Sequence, residues 1–578
     1  MARVITVLET KSRELKEFVS QYDTAMFLGD ISSLMNFIKF DKPIKTLQGL
    51  SSPQRQLYYL AGLNITSPTN KKPLKAQYSD TEFEHIKKLL NEIEGEYEKL
   101  FYPKQEEDVT DDWLMHRRVA MPSFLSFFNE GRLNYEEQVI ERVKDYFSPL
   151  NKEIEAHFGL SVEDFIEIYN HLDELPNKFL ADNINKKEGQ QTWKEFAEEM
   201  FNKGIMPDEW NNHMPAHFSN LFNFVYDHGQ AYRFSQESLE VKFGESKANA
   251  FLSAFTCQRQ EENFVFYTEK NILYTRPLFR VADKMFQAIE MKQIIHSVYN
   301  LLADFCINNN ALKERFYKIR GDKLESKTQQ IFEDFLGKEC TTYKGFYTQD
   351  KHEQDLMFVS SGLALIVEAK ASKRHEPKRD PDKAYATIVN NFEEVIQKGY
   401  DQCYRIKSKF ISKETINIFS DAKLTRHVID INPKRFYGAF SIIVTLERFG
   451  QIQTDLEELL ELYDNDEYPW SVCIDDLEVF LLRMSKSRKK KSDLYNFLAM
   501  RQQLHGHLIA SDELDVCGGY LNGVLTPKLI REKRHTKLIL PPNFSAIFDK
   551  TYRKTGLGFK NEKNMEIKKS DKYFTIGD

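Results

Sequence analysis

The stretch EQDLMFVSSGLALIVEAKASK, residues 353–373, decides how this chain is read. Two apolar runs flank Ser361 and Gly362, a pattern of strand, two-residue turn and strand that describes a β-hairpin. Counting outward symmetrically from the turn sets Asp355 opposite Glu368 and Glu353 opposite Lys370, with opposed Cβ atoms roughly 5 Å apart. Side chains alternate along a strand, so Ile366, Glu368 and Lys370 share one face and Leu365, Val367 and Ala369 the other. Two carboxylates facing each other repel unless a cation lies between them or one keeps its proton. A divalent cation is the expected partner. Mg²⁺, for which Mn²⁺ can substitute, takes one or two carboxylates and completes its shell with waters and phosphate oxygens. Such an ion polarises a phosphodiester, and Lys370 on the same face would orient a water and offset the charge that develops. The same register also allows a plain Glu353–Lys370 ion pair. Against that reading, Glu368 and Lys370 end the apolar run LALIVEAK, which has the look of a strand buried on both faces.

Working outward, KLESKTQQIFEDFL (323–336) has helical periodicity and TTYKGFYT (341–348) reads as a strand. A long helix is expected through NNFEEVIQKGYDQCYRIKSKF (390–410), because Ile388, Phe392, Val395, Gly399, Cys403, Ile406 and Phe410 form one apolar stripe. YGAFSIIVTL (437–446) is a further strand, and YPWSVCIDDLEVFLLRM (468–484) reads as a strand running into a helix capped by Asp475.

This order of elements around Asp355 and the E-x-K strand resembles the PD-(D/E)XK nuclease superfamily. The resemblance implies a restriction-endonuclease-like α/β domain over residues 311–485, an αβββαβ core with a mixed sheet. It also implies roles: Asp355 the motif aspartate, Glu368 the second acidic ligand, Lys370 the catalytic lysine. Glu325 would be the additional carboxylate of the first helix and a third metal ligand, and Gln402 the glutamine of the helix after the E-x-K strand. Glu325 also reads as a solvated first-turn glutamate favoured by the helix dipole. Glu333 lies too far along that helix to be a good substitute. Gln354 stands where the motif name has proline, and Ile406, beside Arg405, where a tyrosine usually follows the glutamine. The implied activity is a Mg²⁺-dependent endonuclease acting on DNA in preference to RNA. The whole arrangement resembles bacterial restriction or anti-phage defence effectors, with a protein partner or phage-derived molecule as trigger. Cutting both strands of a duplex needs two sites, hence a homo-oligomer. The alternative is a non-catalytic nucleic-acid-binding or scaffolding protein with the same fold.

The remaining chain reads as mainly α. Residues 1–260 are expected to be a helical sensing or binding region, with amphipathic segments such as FEHIKKLLNEIEGEYEKLF (83–101) and an N-cap at Ser161. In 261–310, NFVFYTEKNILYTRPLF (263–279) reads as a hairpin around Glu-Lys-Asn, followed by a connecting helix. Residues 486–578 form a helical and basic region in which MSKSRKKKS (484–492) and a Lys/Arg-rich tail from about Thr526 are solvated surface or phosphate contacts.

Composition bounds the rest. The chain has 578 residues, enough for several domains, and its 41% apolar and 13% aromatic content supplies cores. A formal net charge of −7 excludes coating of nucleic acid by bulk attraction but leaves room for a local basic groove. Six cysteines, scattered singly, point to neither a disulfide framework nor structural zinc. Without an apolar run of about 18 residues or a secretory leader, the expectation is a cytoplasmic protein with no membrane partner. Pro215 separates His213 from His217 and disfavours a helical metal pair. His505 and His507, with Asp512 and Glu513 downstream, are a minor metal candidate. No P-loop occurs, so an NTP-driven activity would need a partner.

Overall fold

The computed structural model describes residues 2–38, 45–68, 73–104, 108–129, 134–184, 190–207, 209–372, 378–533, 536–541 and 543–557. These divide into two compact units, one built from 1–99 and 129–309, the other from 100–128 and 310–567. Among the described residues no helix is long and apolar enough to cross a membrane.

The first unit is mainly helical. Its helices include Ala2–Ser20, Pro53–Ile65, Asp80–Glu98, Val162–Phe179 and Met291–Asn308. Reciprocal caps begin several of them: Ser79 with Glu82, Ser161 with Asp164, and Thr192 with Glu195. Each pair satisfies two backbone N–H groups that a helix start would otherwise leave orphaned. The hairpin expected in 263–279 is not there. Glu269 accepts hydrogen bonds from the N–H groups of Val265 and Phe266, and Asn271 accepts from Leu273 while donating to the Tyr58 carbonyl. Side chains thus take the bonds a ladder would have used, and Phe264 and Tyr267 pack on Tyr59 from a buried loop. The hairpin of this unit lies later, Leu278–Ala282 against Met285–Ala288. The expected segment 261–310 therefore does not stand apart, and residues 100–128, expected with the N-terminal region, belong to the second unit. There Arg117 of helix Asp111–Asn129 pairs with Asp382 at 2.5 Å, and His116 stacks on Tyr385.

The second unit is α/β. Helix α1 (Lys313–Leu336) precedes strands β1 (Thr341–Tyr347), β2 (Glu353–Ser360) and β3 (Leu363–Lys370). Helices α2 (Pro381–Phe392) and α3 (Lys398–Ser412) follow, joined by a π-helical turn at Glu393–Gln397. Strands β4 (Ile416–Phe419), β5 (His427–Ile431), β6 (Gly438–Thr445) and β7 (Trp470–Cys473) complete a mixed sheet in the order β7-β6-β3-β2-β1-β4-β5. The sheet is parallel from β3 through β6 to β7 and antiparallel elsewhere. Packing follows pattern. Residues 363–368 of β3 are all buried, as a central strand covered on both faces requires. On one face Phe332 of α1 meets Phe358; on the other Cys403, Ile406 and Phe410 of α3 pack on Met357, Ala364 and Ile366.

Helix α4 (Ile474–Met484) follows β7, capped by Cys473 rather than Asp475, which sits inside its first turn. The described part of 486–578 belongs to this unit: helices α5 (Lys490–Arg501) and α6 (Glu513–Leu521) are tied in by Glu513, which binds Arg501 and the Trp470 indole. The tail beyond residue 557 lies outside the described residues.

The β2–β3 register is the one counted from the turn: Leu356 opposes Val367, and the pairs run regularly to Ser360 and Leu363. Ser361 and Gly362 both have positive φ, +52° and +78°, which makes the turn type I′, the geometry whose twist matches a hairpin. A Cβ on Gly362 would lie 2.6 Å from Tyr437. Gly362→Ala is expected to lower unfolding free energy by roughly 1–2 kcal/mol, the left-handed penalty for a non-glycine residue plus a clash, while Ser361→Asn is neutral or stabilising. Urea midpoints for the two variants check this; equal midpoints would remove the turn as the setter of register.

Candidate functional site

Asp355 and Glu368 form the next row of the hairpin, and there the ladder changes character. Asp355 has a backbone partner neither on β3, where pairing stops at Leu356, nor on β1, where the row falls at Gly345. Gly345 adopts φ +55° and so bends β1 at that row. Carboxylates replace carbonyls as acceptors. The Asp355 N–H donates to Glu368 Oε1 at 3.3 Å, and the Ala369 N–H donates to Asp355 Oδ2 at 2.9 Å.

Glu368 is fully buried. It accepts from Gln354 Nε2 at 2.6 Å and from Lys370 Nζ at 2.8 Å. Burial, and then the Asp355 charge, push its carboxyl up to about 8. Lys370, 17% exposed, is held from both sides, by Glu368 and by Gln402 Oε1 on α3. Gly399 makes this approach possible, since a Cβ there would sit 3.3 Å from Lys370 Cε and 3.1 Å from Ile443. Glu353 does not compete for Lys370; it is hydrogen-bonded to Tyr347.

Glu325, half-buried on α1, feels the same site. Burial and the charge of Asp355 raise it to about 7, against a smaller opposing effect of Lys344. Glu333 instead accepts from Gln329, a turn and more farther along. The structure thus brings together Asp355, Glu368, Lys370 and Gln402, with Glu325 within electrostatic reach. Among the described residues no three His, Cys, Asp or Glu side chains converge as a ready-made metal site. The donor set nonetheless suits a hard divalent ion, which needs only one or two carboxylates. Two opposed acids, one fully buried, have a single ammonium beside them, so ionising both leaves a net negative charge for a cation to offset.

Two neighbours have roles that sequence reasoning missed. Gln354, read there only as a replacement of the motif proline, is buried on β2 and donates to the Val367 carbonyl as well as to Glu368, and its Oε1 is buried without a partner among the described residues. Arg320 of α1 is buried beside the end of β3, its guanidinium on the Ala371 carbonyl. The signal was present: Arg320 falls on the stripe of Phe316, Leu324 and Thr328, where a charge is out of place.

Other candidates dissolve. His505 is buried, its ring nitrogens 3.0 Å from Leu456 N and 3.0 Å from Arg501 Nη1, so it holds structure together. His217 lies 3.0 Å from the Gln191 carbonyl, and Pro215 caps the helix that starts after it. The basic run 484–492 sits at the wrong end of the sheet. Lys491 contacts Ser360 and Glu339, and Ser360 is five residues of strand, about 17 Å, from Asp355.

No protein-family model matches this chain, and neither does any curated protein or solved structure.

The raised carboxyls have a consequence for stability. Below about pH 4.5 Glu368 is neutral folded and unfolded; above it the unfolded carboxyl ionises while the folded one keeps its proton up to about 8. The folded state then binds more protons, so stability falls as pH rises through that window. Asp355 and Lys370 are the charged groups acting on it, and Glu325, raised by burial and by Asp355, adds the same sign up to about 7. In EDTA, melting temperature is expected to decline between about pH 5 and 8, and less steeply in Glu368→Gln. Identical slopes in the two proteins would refute the assignment.

Proposed function

We propose that this chain is a metal-dependent endonuclease that hydrolyses phosphodiester bonds of DNA, with a restriction-endonuclease-like core formed by α1, β1 to β3, α3 and β6. The observation that carries the reading is the row at which Asp355 and Glu368 displace the backbone ladder, with Lys370 clamped beside them by Glu368 and Gln402. A structural sheet gains nothing from opposing a buried acid with a second acid at that place, because like charges across a ladder destabilise it.

Asp355 and Glu368 would hold Mg²⁺ or Mn²⁺, with Glu325 approaching from α1. The ion, when bound, supplies Lewis acidity toward the phosphate and a lowered pKa for water. The chain's own residues do the rest. Lys370 donates hydrogen bonds from a fixed position, orienting the attacking water and offsetting the negative charge that grows in the transition state. Gln402 holds that ammonium in place, and Gly399 lets α3 come close enough for it to do so. The helical unit would sense, bind or restrain, and assembly into a homo-oligomer would supply a second cut. A role in bacterial restriction or anti-phage defence, triggered by a partner or a phage-derived molecule, is part of the proposal by analogy of arrangement.

Purified protein is to be incubated with plasmid DNA and with RNA in Mg²⁺, Mn²⁺ or EDTA. The expected result is metal-dependent cleavage of DNA, lowered about 100-fold or more by Asp355→Ala and by Lys370→Ala. Cleavage that survives both substitutions defeats the site. Retained DNA binding with no cleavage under any condition supports the non-catalytic binding protein instead.

A further inference from the structure

Every other deeply buried arginine side chain in the second unit has a carboxylate. Arg117 pairs with Asp382, Arg448 with Asp476 and Arg501 with Glu513. Arg320 has none within ion-pair reach among the described residues, although it is only 6% exposed. Its Nη2 donates to the Ala371 carbonyl, and its Nε is buried with no hydrogen-bond partner among the described residues. The rings of Phe316 and Tyr317 face the guanidinium at 5.5 and 6.0 Å. A guanidinium cannot shed its charge, and one carbonyl leaves most of its donors free, so an anion is the partner that answers both the charge and the donors.

The place of this surplus charge specifies the anion. Ala371 is the residue after Lys370, one step of about 3.3 Å along the strand that carries the E-x-K residues. Arg320 also belongs to the helix that carries Glu325, five positions earlier. The first half of α1, KERFYKIRGDK, adds Lys313, Arg315, Lys318 and Lys323 to the same helix. A guanidinium presents a planar fork of donors that matches two phosphate oxygens, and aromatic walls strengthen the pairing by excluding water.

We propose that Arg320 is a phosphate-binding residue that seats a backbone phosphate of the nucleic acid beside the one cleaved at Asp355, Glu368 and Lys370. The inference rests on the reading above as a nuclease, and makes it more specific: the substrate strand runs past the end of β3 toward the start of α1.

The test uses the full chain, fluorescein-labelled DNA duplexes and Ca²⁺ or EDTA to prevent turnover, so that binding is read apart from cleavage. Arg320→Gln is expected to weaken binding roughly tenfold for all sequences and to reduce the slope of log K against log salt by about one. Arg320→Lys recovers part of the affinity and restores the slope, because the charge returns without the fork. If Arg320→Gln fails to fold, the wild-type protein decides alone, on duplexes carrying a single neutral methylphosphonate at successive positions. One position near the cut loses affinity under the proposal; uniform affinity across positions overturns it. A folded Arg320→Gln with unchanged affinity and salt slope overturns it too. Should the wild type bind neither DNA nor RNA, the nuclease reading fails while Arg320 is still judged, by thermal melting in inorganic phosphate or pyrophosphate against chloride at equal ionic strength. Stabilisation lost in Arg320→Gln sustains an anion site; equal melting in both salts ends it.

Discussion

The second unit is organised around a substitution of acceptors in the middle of its sheet. At the row of Asp355 and Glu368, side-chain carboxylates take the N–H groups that backbone carbonyls take everywhere else along the hairpin. This does two things at once. It satisfies the buried backbone, which a simple gap in the ladder would not. It also holds the partly buried Asp355 against the fully buried Glu368, which cannot be relaxed into water. The surrounding elements are explicable as supports for that row. The type I′ turn at Ser361 and Gly362 fixes which residues share it, Gly345 bends β1 away from it, and Gly399 lets α3 deliver Gln402 to the lysine beside it.

How much of this was legible follows from where each determinant resides. The register of β2 and β3 depends on a two-residue turn and a period of two, both local, and counting from Ser361 and Gly362 was sufficient. The stripe from Ile388 to Phe410 was legible for the same reason, even though a π-helical turn interrupts the helix. The loop at 263–279 was misread because Phe264, Val265 and Tyr267 have strand composition, whereas Glu269 and Asn271 take the backbone bonds through their side chains. Nothing in a list of apolar residues announces that. Strands β4 and β5 passed unnoticed since β4 is only four residues long and β5, at the sheet edge, is exposed along most of its length.

Long-range placement was the least legible. The basic run at Lys491 looks adjacent to the nuclease-like segment on paper, yet it contacts the turn end of the sheet, away from Asp355. Conversely Gln402 lies 34 residues from Glu368 and meets the same ammonium. His505 looked like a metal ligand from its spacing to His507, and the fold instead encloses it with Arg501 and Leu456.

Buried charge separates structure from chemistry in this molecule. Arg448 with Asp476, and Arg501 with Glu513, are complete pairs: each contains its own countercharge and needs nothing from outside. A pair of that kind holds elements in place and has no reason to recruit a ligand. The charges around the end of β3 do not close in this way. Asp355 and Glu368 are two acids beside a single clamped lysine, with Glu325 within electrostatic reach of Asp355, while Arg320, whose guanidinium meets the Ala371 carbonyl, has no ion-paired carboxylate among the described residues. If these were accidents of packing, the simplest repair would be to move the positive charge of Arg320 toward the acids. The fold instead keeps them apart, Arg320 anchored to the Ala371 carbonyl and Lys370 to Glu368 and Gln402. A cation at the acids and a phosphate at the arginine would each complete one side, and a nucleic-acid backbone carrying its own divalent ion brings both.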